Sequence, residues 1–92
     1  MIKTIFQKSN EREEQNMKDL VIHMAKMLVD NPEQVVVNAV EGESSVILEL
    51  KVAQEDIGKV IGKQGRTAKA MRSILSAAAK KQKKECYLKI LE

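Results

Sequence analysis

The stretch that decides the fold is Val60-Ile61-Gly62-Lys63-Gln64-Gly65-Arg66, a short polar turn with a glycine at each end. Apolar residues precede the turn at the i, i+3, i+4 spacing of one helix face, namely Ile57, Val60 and Ile61. After the turn a period of about 3.6 residues continues through Ala68, Met71, Ile74, Leu75 and Ala78. The pattern predicts two helices joined by a tight turn.

The two glycines of the turn, Gly62 and Gly65, allow positive φ and let another molecule approach the backbone. The second helix is predicted to begin near Gly65, so its first amide hydrogens lack a partner within the helix and carry the positive end of the dipole. Lys63 and Arg66 add charge where the dipole disfavours cations and a bound phosphate would accommodate them. Two interpretations stay open: a phosphate-binding turn, or an ordinary helix corner with solvated basic side chains.

A further glycine, Gly58, lies inside the first of these helices, where glycine costs about 1 kcal/mol relative to alanine. It indicates either close approach by a ligand such as a nucleobase or tight packing of the helix on a sheet. A Walker A loop is excluded, because Gly58 and Gly62 have the wrong spacing and Gln64 follows Lys63 where a hydroxyl is needed. A dinucleotide fingerprint is excluded because its first G-x-G is absent.

Residues 17–30 are predicted to form a helix, with Asn16 as its N-cap and Pro32 just beyond its end. Its apolar stripe is expected at Leu20, Met24, Met27 and Leu28, with Val21 alongside.

Three runs rich in β-branched residues predict strands. Residues 34–40 and 45–52 form a hairpin whose second strand alternates, with Val46, Leu48, Leu50 and Val52 on a dry face and Glu49 and Lys51 on a wet one. Residues 85–91 supply a third strand, with Cys86, Leu88 and Ile90 facing inward. The order is α-β-β-α-α-β, an α+β fold with three helices packed on one face of a three-stranded sheet.

Charge is distributed unevenly along the 92 residues, whose net charge is +3. Residues 1–50 hold 5 Lys or Arg against 9 Asp or Glu, a net −4, whereas residues 51–92 hold 11 against 4, a net +7. The glycine turn lies in the basic half. The asymmetry favours a polyanionic partner, although a solvated lysine-rich face would give the same pattern.

The sequence lacks the residues that several other classes of function require. The chain has one cysteine, Cys86, and one histidine, His23, too few for a Cys/His metal cluster or an intrachain disulfide. No paired carboxylates or nucleophile–base arrangement appears, so neither catalysis nor a cofactor is expected. Phe6 and Tyr87 are the two aromatic residues, which argues against stacking of several bases on rings. No membrane span or signal peptide is evident, so a cytoplasmic single domain is predicted.

Residues 57–72, from Ile57-Gly58-Lys59 to Met71-Arg72, resemble the core of a KH domain, with apolar residues before the G-x-x-G and again three and six positions after it. Residues 17–92 resemble the small bacterial single-KH proteins of the KhpA family end to end, which implies a type II KH arrangement. The departures are Gln54 where proline is expected, and Ala68 and Met71 in place of branched residues. Residues 1–16 lie outside the resemblance and are predicted to be a flexible or adventitious extension.

The resemblance implies that single-stranded RNA is held at the G-x-x-G loop, which in KH domains clamps about four nucleotides. Bases are expected between the first flanking helix and the second hairpin strand. The expected RNA-binding residues are Ile57, Gly58, Lys59, Ile61, Gly62, Lys63, Gln64, Gly65, Arg66 and Lys69.

The resemblance to KhpA also implies RNA chaperoning with a role in cell elongation and cell-wall homeostasis, a homodimer, and pairing with a larger KhpB-like protein. An alternative from a different class stays open: a protein-interaction module in which RNA contact is secondary.

Overall fold

The computed structural model describes residues 16–81 and 83–92, so nearly all of the predicted extension, residues 1–15, lies outside the described residues. Helix α1 occupies residues 16–28. Asn16 already has helical geometry, so its predicted role as N-cap is wrong; asparagine inside a helix is only weakly disfavoured. The helix ends ahead of Pro32, which begins a short 3-10 turn, Pro32–Gln34.

The buried face of α1 differs from the predicted stripe by one position. Met17, Val21 and Ala25 are buried, whereas Met27 is 67% exposed and Leu28 is 38% exposed. Leu20 and Met24 lie at the border of the core and are partly buried. Apolar residues cover more than one face of this helix, so hydrophobicity alone could not show that the small Ala25 would be buried while Met27 is exposed.

The sheet contains three strands in the order β1-β2-β3, with bounds Val36–Glu41, Ser45–Lys51 and Glu85–Ile90. Strand β1 runs antiparallel to β2, with Val37 opposite Leu50. Strand β3 runs parallel to β2, with Leu88 opposite Leu48. Parallel neighbours need a long crossover connection, and the two helices that flank the glycine turn provide it.

Alternation along the strands places one face of the sheet in the core. Val46, Leu48 and Leu50 are buried, while Lys51 is exposed, which confirms the predicted dry and wet faces. The wet face also carries four exposed large side chains: Val36, Val40, Ile47 and Tyr87.

Helices α2 and α3, Ile57–Ile61 and Arg66–Lys81, complete the layer over the dry face. The buried positions of α3 are Ala68, Met71, Leu75 and Ala79. Ile74 belongs to the apolar period in the sequence but is 48% exposed, because the buried i, i+4 row passes through Met71, Leu75 and Ala79 instead. The element order and the α+β fold class are confirmed.

A buried carboxylate connects the end of α1 to the start of α2. Asp56 is fully buried and accepts hydrogen bonds from the amides of Asp30 (3.2 Å) and Asn31 (3.0 Å) and from Asn31 Nδ2 (3.0 Å). Burial raises the pKa of Asp56, but these hydrogen bonds and the charge of Lys59 outweigh burial and leave the pKa below its usual value. Asp56 therefore remains ionised and fixes the helix that precedes the turn.

Candidate nucleic-acid interface

The turn between α2 and α3 has a backbone that requires glycine at its first position. Gly62 has φ +78° and ψ 170°, and an added Cβ there would overlap the side chain of Thr67. Gly65 has φ +73° but open space around it, and Gln64 is left-handed at φ 58°. Three residues with positive φ within four positions make a sharp corner that presents its backbone outward.

The prediction that the first amides of α3 are unpaired is in part wrong. A single 3-10 turn, Lys63–Gly65, closes the corner: Gly65 N–H donates to the carbonyl of Gly62 at 3.1 Å and Arg66 N–H donates to that of Lys63. Gly62 N–H donates to Gly58 at 2.8 Å. Within the part of the chain that the structure describes, Lys63 and Gln64 donate no such bond across the turn, so they are the amides left for an anion.

Exposed basic side chains surround this turn. Lys63 and Gln64 are exposed at its tip, and Arg66 and Lys69 are exposed in the first turn of α3 at i, i+3 spacing, which places them side by side. The predicted charge of the turn is therefore accessible to solvent, and no part of the described chain covers it.

A groove lies beside the turn, but its far wall is not the predicted one. A cavity of about 390 Å³ is lined by Ile61, Gly65, Ala68, Arg72, Leu88, Lys89, Ile90 and Glu92. The expected wall, β2, is the central strand and has neighbours on both edges, so the groove forms against the edge strand β3 instead. The expectation that bases enter between α2 and β2 stays a prediction, and the groove between α3 and β3 is a second place for them.

Arg72 spans the groove from α3 to β3. Its Nε donates to the carbonyl oxygen of Leu88 at 3.3 Å. A guanidinium carries five N–H donors, so this bond orients the group at the groove wall and leaves other donors for a ligand.

A family model for the KH domain of KhpA/KhpB matches residues 18–90. This chain belongs to that family. Curated relatives called "RNA-binding protein KhpA" agree with it. The relative from Clostridium perfringens is 60% identical over 75 residues, covering 82% of this chain and 100% of its own length. The one from Caldanaerobacter subterraneus subsp. tengcongensis is 56% identical over 75 residues, with the same coverage. The one from Aquifex aeolicus is 51% identical over 76 residues, covering 83% of this chain and 96% of its own. Comparison with solved structures gave no significant match.

Within this KhpA/KhpB domain, Gly58 has a clear interpretation. The residue is exposed, and nothing lies within 4 Å of a Cβ added to it. Tight packing of helix on sheet, the alternative left open by the sequence, is therefore excluded. The bare backbone at Gly58 faces space that a ligand can occupy.

Of the ten predicted site residues, Ile61 and Gly65 line the groove, and two of the others, Ile57 and Lys59, are engaged elsewhere. Ile57 is partly buried and lines a separate cavity of about 510 Å³, with Val52, Ala53 and Leu91. The ammonium of Lys59 is paired with Asp30 and lies 3.5 Å from the carboxylate of Asp56. The hydrogen bond to Asp30 raises the pKa of Lys59, so its charge is engaged by two carboxylates.

Sequence reasoning did not assign six groove residues to the site: Ala68, Arg72, Leu88, Lys89, Ile90 and Glu92. Arg72 was quoted only as part of the KH resemblance. The predicted element order contained a usable signal, because a strand that follows an αα crossover can add to the open edge of a hairpin.

Among the helices that the structure describes, none has the length and apolar character that a membrane span needs.

Proposed function

We propose that this chain binds single-stranded RNA, with the sugar-phosphate backbone at the turn of Gly62 to Gly65 and the bases in the groove against β3. The observation that carries the proposal is the open, basic G-x-x-G turn directly beside a groove that apolar and charged side chains line together. Its membership of the KhpA/KhpB KH-domain family, and relatives called RNA-binding protein KhpA, support the same ligand.

The turn supplies contacts suited to phosphate. The amides of Lys63 and Gln64 point out of a corner built by positive-φ residues, and exposed cations stand next to them at Lys63, Arg66 and Lys69. Amide donors combined with nearby cations bind phosphate without reading sequence.

The groove supplies contacts suited to an unpaired base. Ile61 and Ala68 give an apolar floor. Gly58, which lies three residues before Ile61 on α2 and outside the groove lining, leaves open space beside its backbone. Strand β3 has β2 on one side only, and the amides of Glu85 at its start and of Leu91 just after its end donate to carbonyls on that side. By alternation, the backbone groups of Leu88 and Ile90 face the groove, where they can pair with a base edge as single-strand readers do.

The deciding experiment replaces Lys63 and Gln64 together with Asp, which puts negative charge against phosphate. Aspartate tolerates the left-handed backbone of Gln64, so the circular dichroism spectrum should be unchanged. Fluorescence anisotropy with a labelled oligouridylate should show loss of binding. A control pair, Lys26→Asp with Asn38→Asp, alters net charge equally at exposed positions on α1 and the open sheet face. Unchanged binding by the turn variant would reject this site.

At a finer level, we propose that the protein acts as an RNA chaperone in the cytoplasm, with a role in post-transcriptional control of cell elongation and cell-wall homeostasis. The resemblance to KhpA supports this role. Loss of the RNA-chaperone effect in a strand-annealing assay with the Lys63 and Gln64 variant is the expected outcome, and retention of it would separate chaperoning from the turn.

A second candidate function is a protein-interaction module that forms a homodimer or pairs with a KhpB-like protein. The exposed apolar side chains of the open sheet face, Val36, Val40 and Ile47, favour it. Replacing Val36 and Val40 with Thr keeps the β-branched shape and removes apolar surface. Sedimentation velocity should then show a shift toward monomer, whereas an unaltered distribution would remove this face from consideration.

A further inference from the structure

We propose that two copies of this chain pair along the outer edge of β1, in antiparallel register, so that their sheets join into one sheet of six strands. The inference rests on the second candidate function, self-pairing, and deepens it by naming the edge and the register through which the copies meet. It does not depend on the RNA site, which lies at the opposite edge of the sheet.

Strand β1 is an edge strand without the features that normally prevent pairing. Among the strands that the structure describes, β1 has a neighbour on one side only, which is β2. Residues 36–40 read Val-Val-Asn-Ala-Val, with no charge and no proline, and their register with β2 is continuous, without a bulge. Charged side chains, prolines and bulges are the devices that keep exposed edges from pairing. The outer edge of β1 is therefore open to another strand.

The opposite edge of the same sheet differs in this respect. Strand β3 carries two exposed charged residues, Glu85 and Lys89. Arg72 from α3 also occupies that edge, where its Nε donates to the carbonyl oxygen of Leu88 at 3.3 Å. One edge of the sheet is thus charged and partly covered, and the contrast singles out β1 as the edge that can accept a strand.

The ladder with β2 shows which backbone groups β1 presents outward. Gly42 N–H donates to the carbonyl oxygen of Ser45 at 2.8 Å. Hydrogen-bonded pairs alternate along an antiparallel ladder, so the even-numbered residues of 36–40 bond β2. Val37 and Ala39 therefore direct their N–H and C=O groups away from β2. Among the described residues, none of the backbone hydrogen bonds in turns and loops uses these groups.

One register satisfies these outward groups and also matches the side chains. With a two-fold axis at Asn38, Val37 of each copy lies opposite Ala39 of the other, and the two residues exchange a pair of hydrogen bonds. Val36 then lies opposite Val40 of the other copy on the open face of the sheet, in the type of pair whose side chains approach most closely. Such apolar cross-strand pairs stabilise a sheet, so the edge is complementary to itself.

This pairing accounts for apolar side chains that a single chain leaves in solvent. Val36 is 47% exposed and Val40 is 48% exposed, and each gains an apolar neighbour from the second copy. A standard interface takes about 20–30 residues from each partner, which is more than one short edge supplies. The dimer should therefore be weak and reversible, and its population should rise with protein concentration.

The first test is sedimentation velocity over a range of protein concentrations. Ala39→Pro removes an outward amide and leaves the bonds between β1 and β2 in place, because proline is tolerated where the N–H of an edge strand faces solvent. The loss of one hydrogen bond from each of the two Val37 and Ala39 pairs should raise the dimer dissociation constant at least about tenfold. Tyr87→Thr, on β3 at the open face, is the control and should dimerise like wild type.

The second test addresses the register and uses two exposed positions that the fold tolerates. Val36→Glu and Val40→Lys each place a charge opposite a valine of the other copy, so each variant alone should self-pair more weakly than wild type. An equal mixture should pair more tightly than either variant alone, because the introduced carboxylate then faces the introduced ammonium while the remaining Val36 faces the remaining Val40. Circular dichroism and melting temperature report whether each variant is folded.

The outcomes separate the edge from self-pairing in general. If wild-type protein sediments as a monomer at every concentration, self-pairing and the edge are both rejected. If wild type dimerises but the mixture pairs no more tightly than its two components, the edge is rejected and self-pairing stands. Dimer loss in Tyr87→Thr with an unaltered dimer in Ala39→Pro would assign the contact to the open face instead.

RNA binding supplies an independent readout for the same variants. The groove and the glycine turn lie away from β1, so folded Ala39→Pro should bind an oligouridylate of roughly five nucleotides, about the length that one KH loop clamps, like wild type. Rejection of the edge would thus leave the proposed RNA site untouched. Weaker binding of this probe by a folded, monomeric Ala39→Pro would show that β1 contacts RNA and would overturn its assignment to a second copy.

Discussion

The carboxylate of Asp56 accepts two hydrogen bonds from Asn31, one from the backbone amide and one from the side-chain Nδ2, both at 3.0 Å. Asn31 follows α1 and Asp56 precedes α2, so the pair joins two elements 25 residues apart in sequence. Because α2 leads directly into the glycine turn, this contact sets where the turn lies relative to the core. The pair is therefore a structural support for the proposed binding site.

Removing the carboxylate charge should weaken the fold. In Asp56→Asn one acceptor oxygen becomes an NH₂ donor that faces the donors of Asp30 and Asn31, which leaves buried polar groups unpaired. We expect a clearly lower melting temperature in differential scanning calorimetry. Glu33→Gln, an equal charge change at an exposed residue, is the control and should melt like wild type.

The same carboxylate predicts a pH dependence. The pKa of Asp56 is lowered in the folded state, so its stabilising effect is complete above the ordinary aspartate pKa of 3.8 and is lost as the pH falls through the lower folded pKa. Wild-type melting temperature should fall steeply in that acid range, and Asp56→Asn should show a shallower decline. Parallel curves for the two proteins would mean that another group governs acid unfolding.

Alanine at two glycines should have opposite effects on stability. Gly58 has no neighbour within 4 Å of an added Cβ and lies in a helix, so Gly58→Ala should stabilise the protein by about 0.5–1 kcal/mol. Gly62 has φ +78° and ψ 170°, a backbone open almost only to glycine, so Gly62→Ala should destabilise it by at least about 1–3 kcal/mol. Urea denaturation measures both.

Gly58→Ala should nevertheless weaken RNA binding, because its methyl group would occupy space that a base approaches. A gain in stability together with lower affinity in fluorescence anisotropy is the expected combination. Higher or unchanged affinity would show that the backbone at Gly58 does not contact RNA.

Replacing Lys63 and replacing Lys59 should change the salt dependence of RNA binding differently. Three or four phosphate contacts give a log–log slope of roughly −2 to −3, at about 0.7 per neutralised phosphate of a single strand. Lys63→Gln should reduce the magnitude of that slope by about 0.7. Lys59→Gln should leave the slope unchanged and lower thermal stability, because the ammonium of Lys59 is engaged by Asp30 and Asp56. Equal slope changes for both variants would show that Lys59 also contacts phosphate.

The sequence was sufficient for the parts of the fold that follow from periodicity. Alternation in residues 46–52 predicted the buried face of β2, and the glycine pair predicted the corner between α2 and α3. It was not sufficient where several apolar faces compete, as on α1, where Ala25 is buried and Met27 is exposed. Sheet order also depends on long-range packing, so the prediction missed that β3, with Leu88, forms the groove wall.

Side-chain pairing was the second feature that could not be predicted from the sequence. Lys59 has the same residue type and nearly the same position as Lys63, and only the approach of Asp30 from the end of α1 distinguishes their roles. Likewise, the 3-10 closure that pairs the amides of Gly65 and Arg66 depends on backbone angles that glycine permits but does not dictate.

The most direct test of the proposed site is a titration of ¹⁵N-labelled protein with an oligouridylate, followed by heteronuclear NMR. We expect the largest amide shifts at Lys63 and Gln64 in the turn and at Leu88 and Ile90 on β3, with β1 unaffected. Shifts confined to β1 and the open face of the sheet, with the turn unchanged, would contradict it.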